Sequence, residues 1–233
     1  MPISPSLLNK IRVVIVVLLV CLMVLLPLFS LNEIQAYNQP TNNASLPSIQ
    51  GIVLANAHQL NNFKLRDQDN QLFNSKSLQG KWHFISYGYT QCPDICPTTL
   101  MTLTRLIERL NKNQTAEDTS FIFYSIDPDR DSQAILSNYI GYFHQQFIAL
   151  FADNHQDKIL FESGLGIKAI IKKNNNNYQV SHDLQIYLTN PNGDLQAVFI
   201  PQRTELGVNH LTTSQLFDGY LKVKKYYQAQ LKI

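Results

Sequence analysis

The chain has 233 residues, of which 45% are hydrophobic and 15% are charged, and its formal net charge at pH 7 is +2. This length fits one domain with an extension, and the apolar content is sufficient for a buried core. Because the net charge is small and the basic residues are not clustered, the composition implies no polyanion as a partner, and no nucleic-acid-binding motif is present, so no binding of nucleic acid is predicted.

The first predicted element is an unbroken apolar run, Val13 to Phe29, which follows two basic residues. Its length is close to the lower limit for a membrane-spanning helix. The positive charge before the run and Glu33 after it predict a cytoplasmic N-terminus. Residues 1–31 are therefore predicted as a single-pass anchor in the inner membrane, with the C-terminal domain on the periplasmic side. A signal peptide cleaved after Ala36 is the alternative, but the residues before this position form a poor cleavage site.

Residues 32–57 are rich in asparagine and proline and show little apolar periodicity, which predicts a flexible linker. The domain is predicted to occupy residues 58–233. Two short apolar segments, 63–65 and 71–73, flank a polar turn and predict a hairpin that extends the main fold at its N-terminal side. Asn70 in this turn suits the left-handed backbone conformation, which asparagine tolerates.

Strand and helix patterns then alternate along the domain. The predicted strands are residues 81–87, 119–126, 147–151, 184–189 and 195–200, and the predicted helices are residues 95–111, 132–143, 154–165 and 213–230. We expect Ile135, Tyr139 and Ile140 to face the core, Asp153 to cap the helix that follows it, and residues 172–177 to form a polar loop. This order of elements is typical of an α/β thioredoxin-like fold, in which helices flank a central mixed sheet.

Two of the three cysteines, Cys92 and Cys96, lie where a predicted strand ends and a predicted helix begins. Pro97 suits the first turn of that helix. A helix N-terminus carries free N–H groups and partial positive charge, which favour the thiolate that binds soft metals and attacks disulfides. Because they are four positions apart in the chain, the two cysteines can share one ion or close a disulfide. A purely structural disulfide is the alternative, but such bridges usually join distant segments.

The run Cys92-Pro-Asp-Ile-Cys96-Pro97 resembles the SCO1/SenC family of copper-handling, thioredoxin-fold proteins. The resemblance extends to Gly80-Lys81, Gly88-Tyr89-Thr90, residues 126–131 and Val180-Ser181-His182, and it covers roughly residues 59–230. It implies a thioredoxin-like fold and one copper ion per chain, as Cu(I) or Cu(II).

The third ligand of this family lies just before the strand that faces the cysteines, and in this chain His182 holds that position. In a thioredoxin-type fold the segment entering that strand lies beside the cysteine turn. The resemblance therefore implies Cys92, Cys96 and His182 as the metal ligands. Two thiolates alone can hold Cu(I), whereas Cu(II) prefers an added imidazole.

Other polar residues receive weaker functional interpretations. Asp183 is a hypothetical carboxylate partner for the ring of His182. The acidic residues within 127–131 favour a turn that caps a helix and pairs with Arg130 over a site for a hard cation. Asp94 has no role that the sequence decides. Of the other histidines, His83 is expected to pack within its strand, and the rest are expected at the surface: His58, His144, His155 and His210.

The resemblance implies a copper chaperone that delivers its ion to the dinuclear copper site of cytochrome c oxidase. The implied partners are the copper-bearing subunit of the oxidase, a copper donor protein and a thiol reductant, because a disulfide between Cys92 and Cys96 would abolish copper binding. Metal transfer by ligand exchange needs no bond-breaking catalysis, so an enzyme is not the favoured interpretation.

The alternative function is a membrane-anchored thiol–disulfide oxidoreductase, which would reduce cysteines of a partner such as the oxidase copper site. Cys92 and Cys96 would then be the redox-active nucleophile and resolving pair. Two features are unlike thioredoxin. Three residues rather than two separate the cysteines, and no proline occurs between Pro128 and Pro191, where thioredoxins carry a cis-proline. A peroxidase is disfavoured because Thr90 precedes Cys92 by two positions rather than three.

Overall fold

The computed structural model describes residues 15–16, 18–19, 21–23, 45–174, 177–203 and 209–231. The chain divides into two compact units, Met1–Asn43 and Ala44–Ile233. Within the described ranges, no helix combines the length and the apolar character needed to cross a bilayer. Most of the predicted anchor and half of the predicted linker lie outside these ranges, so the anchor and the membrane location stay predictions.

The second unit contains twelve described strands and four described α-helices. The strands are β1 (Gly51–His58), β2 (Lys64–Asp67), β3 (Leu72–Asn74), β4 (Trp82–Gly88), β5 (Thr119–Ser125), β6 (Phe147–Phe151), β7 (Ala169–Asn174), β8 (Asn177–His182), β9 (Ile186–Thr189), β10 (Leu195–Phe199), β11 (Gln202–Arg203) and β12 (Asn209–His210). The helices are α1 (Ile95–Lys112), α2 (Gln133–Phe143), α3 (His155–Leu165) and α4 (Thr213–Gln230), and a short 3-10 helix covers Ser75–Leu78.

A mixed sheet of eight strands forms the centre of this unit, in the spatial order β1–β10–β9–β4–β5–β6–β2–β3. Strands β4, β5 and β6 are parallel, whereas β9 runs antiparallel to β4. The predicted hairpin is the pair β2–β3, which extends the sheet beyond β6. This arrangement is the thioredoxin-like α/β fold that the order of elements predicts.

Apolar clusters cover both faces of the sheet, and β4 is therefore buried at every position. Because successive residues of a strand point to opposite faces, Phe84 packs in one cluster and Ile85 in the other. The first cluster includes four residues of α1 whose helical spacing puts them on one face, Leu100, Leu103, Ile107 and Leu110. Because β4 is buried along its whole length, the chain turns toward solvent after this strand ends at Gly88.

The predicted linker was too long, because Gly51–His58 form β1 and pair antiparallel with β10. This strand lies at one edge of the sheet. Most of its side chains are exposed or partly exposed, and Val53 is the one that is buried. An edge strand of this kind lacks the apolar periodicity by which the other strands were predicted.

The predicted polar loop at residues 172–177 was also wrong, because β7 and β8 form an antiparallel hairpin that covers most of it. Ala169 pairs with His182 in this hairpin, and Lys172 pairs with Gln179. Among the described strands, β7 and β8 make a two-stranded sheet that is separate from the central one. A hairpin at the surface tolerates a polar sequence, which is why its composition resembled that of a loop.

Local details at the helices follow the sequence in part. Ile135 is 44% exposed, and Leu136 is buried instead, because Leu136 lies one helical turn from Ile140 and shares its face. The cap of α3 is Asn154, whose side chain accepts a hydrogen bond from the N–H of Asp157, rather than Asp153. The predicted left-handed conformation of Asn70 is confirmed by its φ of 61°.

Candidate metal centre

The cysteine loop, residues 89–94, connects the buried strand β4 to α1, as the sequence predicted. Cys92 lies in this loop and Cys96 in the first turn of α1, and both are buried. Asp94 is the residue at the N-cap, but its side chain makes no capping hydrogen bond. The first N–H groups of the helix are therefore left to act on the cysteine sulfurs.

Gly88, the last residue of β4, makes room for the sulfur of Cys96. A Cβ atom at this position would lie 2.4 Å from Sγ of Cys96 and 3.3 Å from the ring of Phe123. Any larger residue would therefore displace the cysteine or the strand end. The backbone of Gly88 also fixes the next strand connection, because its carbonyl accepts a hydrogen bond of 2.9 Å from the N–H of Ile126.

His182 ends β8 and lies beside the cysteines, as expected for the segment that precedes the strand at 184–189. Its Nε2 atom is 3.8 Å from Sγ of Cys96. The two sulfurs and an imidazole nitrogen of His182 all lie within 4.8 Å of one another. Among the described residues, this is the one group of three metal-binding side chains that are close enough to hold an ion.

The ring of His182 is held in one orientation by its surroundings. Its Nδ1 atom is 2.7 Å from the backbone carbonyl of Asp183. Because a carbonyl only accepts hydrogen bonds, Nδ1 carries a hydrogen, and Nε2 is the ring nitrogen that faces the sulfurs. The hypothesis that the carboxylate of Asp183 orients this ring is thus replaced by a backbone contact. The rings of Tyr87 and Tyr89 flank the imidazole, at centroid distances of 5.3 and 6.2 Å.

The two thiols differ in acidity because one of them donates a hydrogen bond to the other. The Cys96 thiol donates to Cys92 and lowers the pKa of Cys92 to about 4, against the opposing effect of burial. The same contact raises the pKa of Cys96, and burial adds to that rise. Hydrogen bonds from His182 and from the N–H groups of Asp94 and Cys96 also favour the Cys92 thiolate. The site therefore offers one thiolate and one thiol in the absence of an ion.

The acidic loop, residues 127–131, points its buried carboxylates into the protein. Asp131 accepts hydrogen bonds of 2.6 Å from the hydroxyls of Thr90 and Ser125, and one of 3.1 Å from the N–H of Thr90. Asp127 pairs with Arg130 at 2.5 Å. These contacts favour the interpretation of the acidic loop as a turn, and they disfavour a site for a hard cation. The hydrogen bonds between Asp131 and the cysteine loop were not predicted from the sequence. Both segments nevertheless belong to the motifs that carry the family resemblance.

The donor atoms fit a soft or borderline ion such as copper, because two sulfurs and an imidazole suit it and hard cations prefer oxygen. In a trigonal arrangement, bonds of about 2.0–2.3 Å place the donors about 3.7 Å apart. The separation of 3.8 Å between Sγ of Cys96 and Nε2 of His182 is close to this value, and all three donor atoms lie within 4.8 Å of one another. The other histidines lie elsewhere, and the expectation that His83 packs within its strand is confirmed by its 3% exposure.

Comparisons with known proteins agree with the fold. A SCO2-like protein of Rickettsia prowazekii is 38% identical over 133 residues, which cover 56% of this chain and 64% of that protein. The crystal structure of Arabidopsis thaliana ScoI with copper bound has a TM-score of 0.62 and 27% identity, covering 72% of this chain and 99% of the other. BsSco, a member of the Sco family of cytochrome c oxidase assembly proteins, is 21% identical with a TM-score of 0.58, covering 76% of this chain and 98% of BsSco, and shows the same fold.

A protein-family model matches most of the second unit. The model for SCO1/SenC matches residues 54–214, a segment that includes both cysteines, the acidic loop and His182. This match spans more than half of the chain. The chain therefore belongs to the SCO1/SenC family.

Proposed function

We propose that this chain is a copper chaperone, which binds one copper ion through Cys92, Cys96 and His182 and delivers it to the dinuclear copper site of cytochrome c oxidase. The observation that carries the proposal is the convergence of two sulfurs and one imidazole within 4.8 Å. Copper binding by the related ScoI of Arabidopsis thaliana and the role of the Sco family in oxidase assembly support the choice of ion and recipient.

The proposed transfer follows from the chemistry of the three ligands. Two thiolates are sufficient to hold Cu(I), whereas Cu(II) gains from the added imidazole. His182 is partly exposed and the cysteines are buried, so the imidazole is the ligand that a partner reaches first. Thiols of the recipient would then replace the two sulfurs one after the other. No bond of a substrate is broken, and the protein acts as a carrier rather than an enzyme.

The proposal includes a location and two further partners. Residues 1–31 would anchor the chain in the inner membrane, a short linker would follow, and the domain would lie on the periplasmic side; the charge pattern around the apolar run supports this topology. Thiols tend to oxidise outside the cytoplasm. A thiol reductant is therefore needed to keep Cys92 and Cys96 free, and a donor protein must supply the copper.

A thiol–disulfide reductase is the second candidate function, and one observation favours it. Cys92 has a low pKa, and Cys96 lies within reach as a resolving thiol. In such a reaction the Cys92 thiolate attacks a partner disulfide, one partner sulfur leaves as a thiolate, and Cys96 then displaces the partner and closes the Cys92–Cys96 disulfide. His182 has no required part in these steps, so its contribution separates the two functions.

The deciding experiment is a copper titration of the reduced full chain, with each cysteine changed to serine and with His182→Ala. We expect one copper ion per chain, a thiolate-to-Cu(II) charge-transfer band, and loss of the band in both cysteine variants. His182→Ala should weaken Cu(II) binding more than Cu(I) binding. His58→Ala, at an exposed position of β1, is the matched control. A chain that reduces disulfides efficiently and holds no copper would establish the reductase instead.

A further inference from the structure

The hairpin β7–β8 carries His182 to the site without belonging to the central sheet. Main-chain hydrogen bonds of the sheet therefore do not fix the distance from His182 to the cysteines. Apolar packing of Ala169 and Val180 against the core supports the hairpin in part. A precise position for the imidazole requires a further contact between the hairpin and the cysteine loop.

Strand β8 points three alternate side chains toward the body of the protein. Because side chains of a strand alternate between its faces, Tyr178, Val180 and His182 share one face. Val180 packs on the core, and His182 meets the cysteines. The Tyr178 hydroxyl donates a hydrogen bond to the carboxylate of Asp127. Tyr178 thus anchors the strand about 13 Å from His182 along its length.

Arg130 is the residue that joins this anchor to the cysteine loop. Its guanidinium carbon lies 3.7 Å from the centroid of the Tyr178 ring and 5.4 Å from that of Tyr89. Its Nε donates to Asp127 at 2.5 Å, and its Nη1 donates to the side chain of Gln91 at 3.1 Å. One planar cation therefore contacts the hairpin on one side and two residues of the cysteine loop on the other.

The acidic loop, which contains Arg130, is itself fixed to the cysteine loop. Asp131 holds Thr90 through its hydroxyl and its N–H. Tyr89, which Arg130 contacts, packs edge-on against the ring of His182 at 6.2 Å. The hairpin β7–β8, which supplies His182, is thus linked to the cysteine loop through the acidic loop. This link is additional to the contact between His182 and the cysteines.

We propose that Arg130 is a positioning residue for the metal centre, which sets the distance between His182 and the two sulfurs by holding Tyr178 and the cysteine loop together. The inference rests on the copper-binding function proposed above. Partners that orient metal ligands typically change metal affinity by about 10- to 100-fold when they are removed. Arg130→Gln should therefore weaken Cu(II) binding by a factor of this size and Cu(I) binding by less, because Cu(I) depends mainly on the thiolates.

The test uses the reduced full chain, first without copper. Hydrogen exchange of the backbone at residues 177–182 should be faster in Arg130→Gln and Tyr178→Leu than in the original chain. Arg130→Lys keeps the charge but loses the planar group between the two rings, and should give an intermediate rate. Arg109→Gln is the matched control, because Arg109 also stacks on an aromatic ring, 4.0 Å from Phe217, and bonds to Ser214 on a different surface.

The second part of the test is a double-mutant comparison of Cu(II) affinity. If Arg130 acts through His182, Arg130→Gln should add no further loss in a His182→Ala background. An equal loss in both backgrounds overturns the inference, and so does unchanged exchange of the hairpin in the metal-free Arg130→Gln variant. A chain that holds no copper at all, with faster exchange in Arg130→Gln, would instead refute the copper function and keep Arg130 as the anchor of the hairpin.

Discussion

The Nε2 atom of His182 lies 3.8 Å from the sulfur of Cys96, although 86 positions separate these residues along the chain. The cysteine is fixed by a buried strand and the helix that follows it, whereas the histidine is delivered by a surface hairpin. A site assembled in this way depends on packing between segments as much as on the ligands. Variants that leave all three ligands in place can therefore change metal binding.

The first prediction concerns the acidity of the thiols. In the reduced chain with Cys21→Ser, which leaves only the two site cysteines, we expect one thiolate to form well below pH 7. The reason is that the hydrogen bond from Cys96 lowers the pKa of Cys92 to about 4. Above that pH the Cys92 thiolate predominates, and below it the thiol does. The ultraviolet absorbance of the thiolate, recorded against pH without metal, measures the transition.

Cys96→Ala is the informative variant for this titration, because it removes the donor. The pKa of Cys92 should then rise toward that of an ordinary thiol, near 8.5. His182→Ala removes a smaller contribution and should cause a smaller rise. Two thiols that both titrate near pH 8.5 in the unmodified site would contradict the prediction.

Gly88→Ala tests the close approach of β4 to the site. The new methyl group would lie 2.4 Å from Sγ of Cys96, so the cysteine or the strand end must move. We expect a loss of stability of about 1–3 kcal/mol, as for other overpacked positions, together with weaker copper binding. Urea unfolding of the reduced chain and copper titration measure the two effects.

Gly141→Ala in α2 provides the matched control, because no atom of the described residues, apart from the adjacent backbone of α2 itself, lies within 4 Å of the position that its methyl group would occupy. Alanine is a better helix former than glycine, so this change should be neutral or stabilise the chain by up to about 1 kcal/mol. Equal effects of the two substitutions would show that the contact with Cys96 is unimportant.

Asp131→Asn tests the link between the acidic loop and the cysteine loop. The carboxylate of Asp131 is 1% exposed and accepts hydrogen bonds from Thr90 and Ser125. An amide offers only one accepting oxygen, so a buried donor loses its partner, at a cost of about 1–3 kcal/mol. Urea unfolding measures this loss. Asp69→Asn in the exposed turn of the first hairpin should change stability by less than about 0.5 kcal/mol, and a similar loss in both variants would argue against the assigned role.

Much of the fold and the position of the two site cysteines could be predicted from the sequence, because each depends on a strong local signal. The helical period of apolar residues predicted the bounds of α1 and α4 almost to the residue. Cys92 and Cys96 lie at a predicted junction between a strand and a helix, which the structure confirms. The place of His182 required the fold and the family resemblance, since no local pattern distinguishes it from other histidines.

The parts that were missed share a physical reason. Strand β1 lies at an edge and β7–β8 lie outside the central sheet, so neither needs the apolar alternation that marks a buried strand. Arg130 contacts Tyr178, and Asp131 contacts Thr90. Both contacts join segments that are 41 or more positions apart in the chain. Such polar contacts depend on side-chain geometry, which composition and periodicity do not encode.

The last prediction concerns acid stability and a histidine that is not one of the proposed metal ligands. His83 lies in the buried strand β4 with 3% exposure, and its Nδ1 has no hydrogen-bond partner among the described residues. Burial lowers the pKa of His83 from 6.5 to about 4. Between these values the unfolded chain binds a proton that the folded chain does not bind, so the stability contributed by neutral His83 is complete above pH 6.5 and decreases as pH falls toward 4.

We therefore expect the free energy of unfolding to decrease between pH 7 and pH 5 by about 2 kcal/mol through His83 alone, as linkage requires for such a shift. His83→Gln has no titrating ring and should lose this part of the pH dependence, even if its stability at pH 7 is lower. Urea unfolding at several pH values measures both quantities. His58→Gln, at an exposed position, should keep the original slope. If His83→Gln also keeps it, the protonation of another group must destabilise the fold in acid.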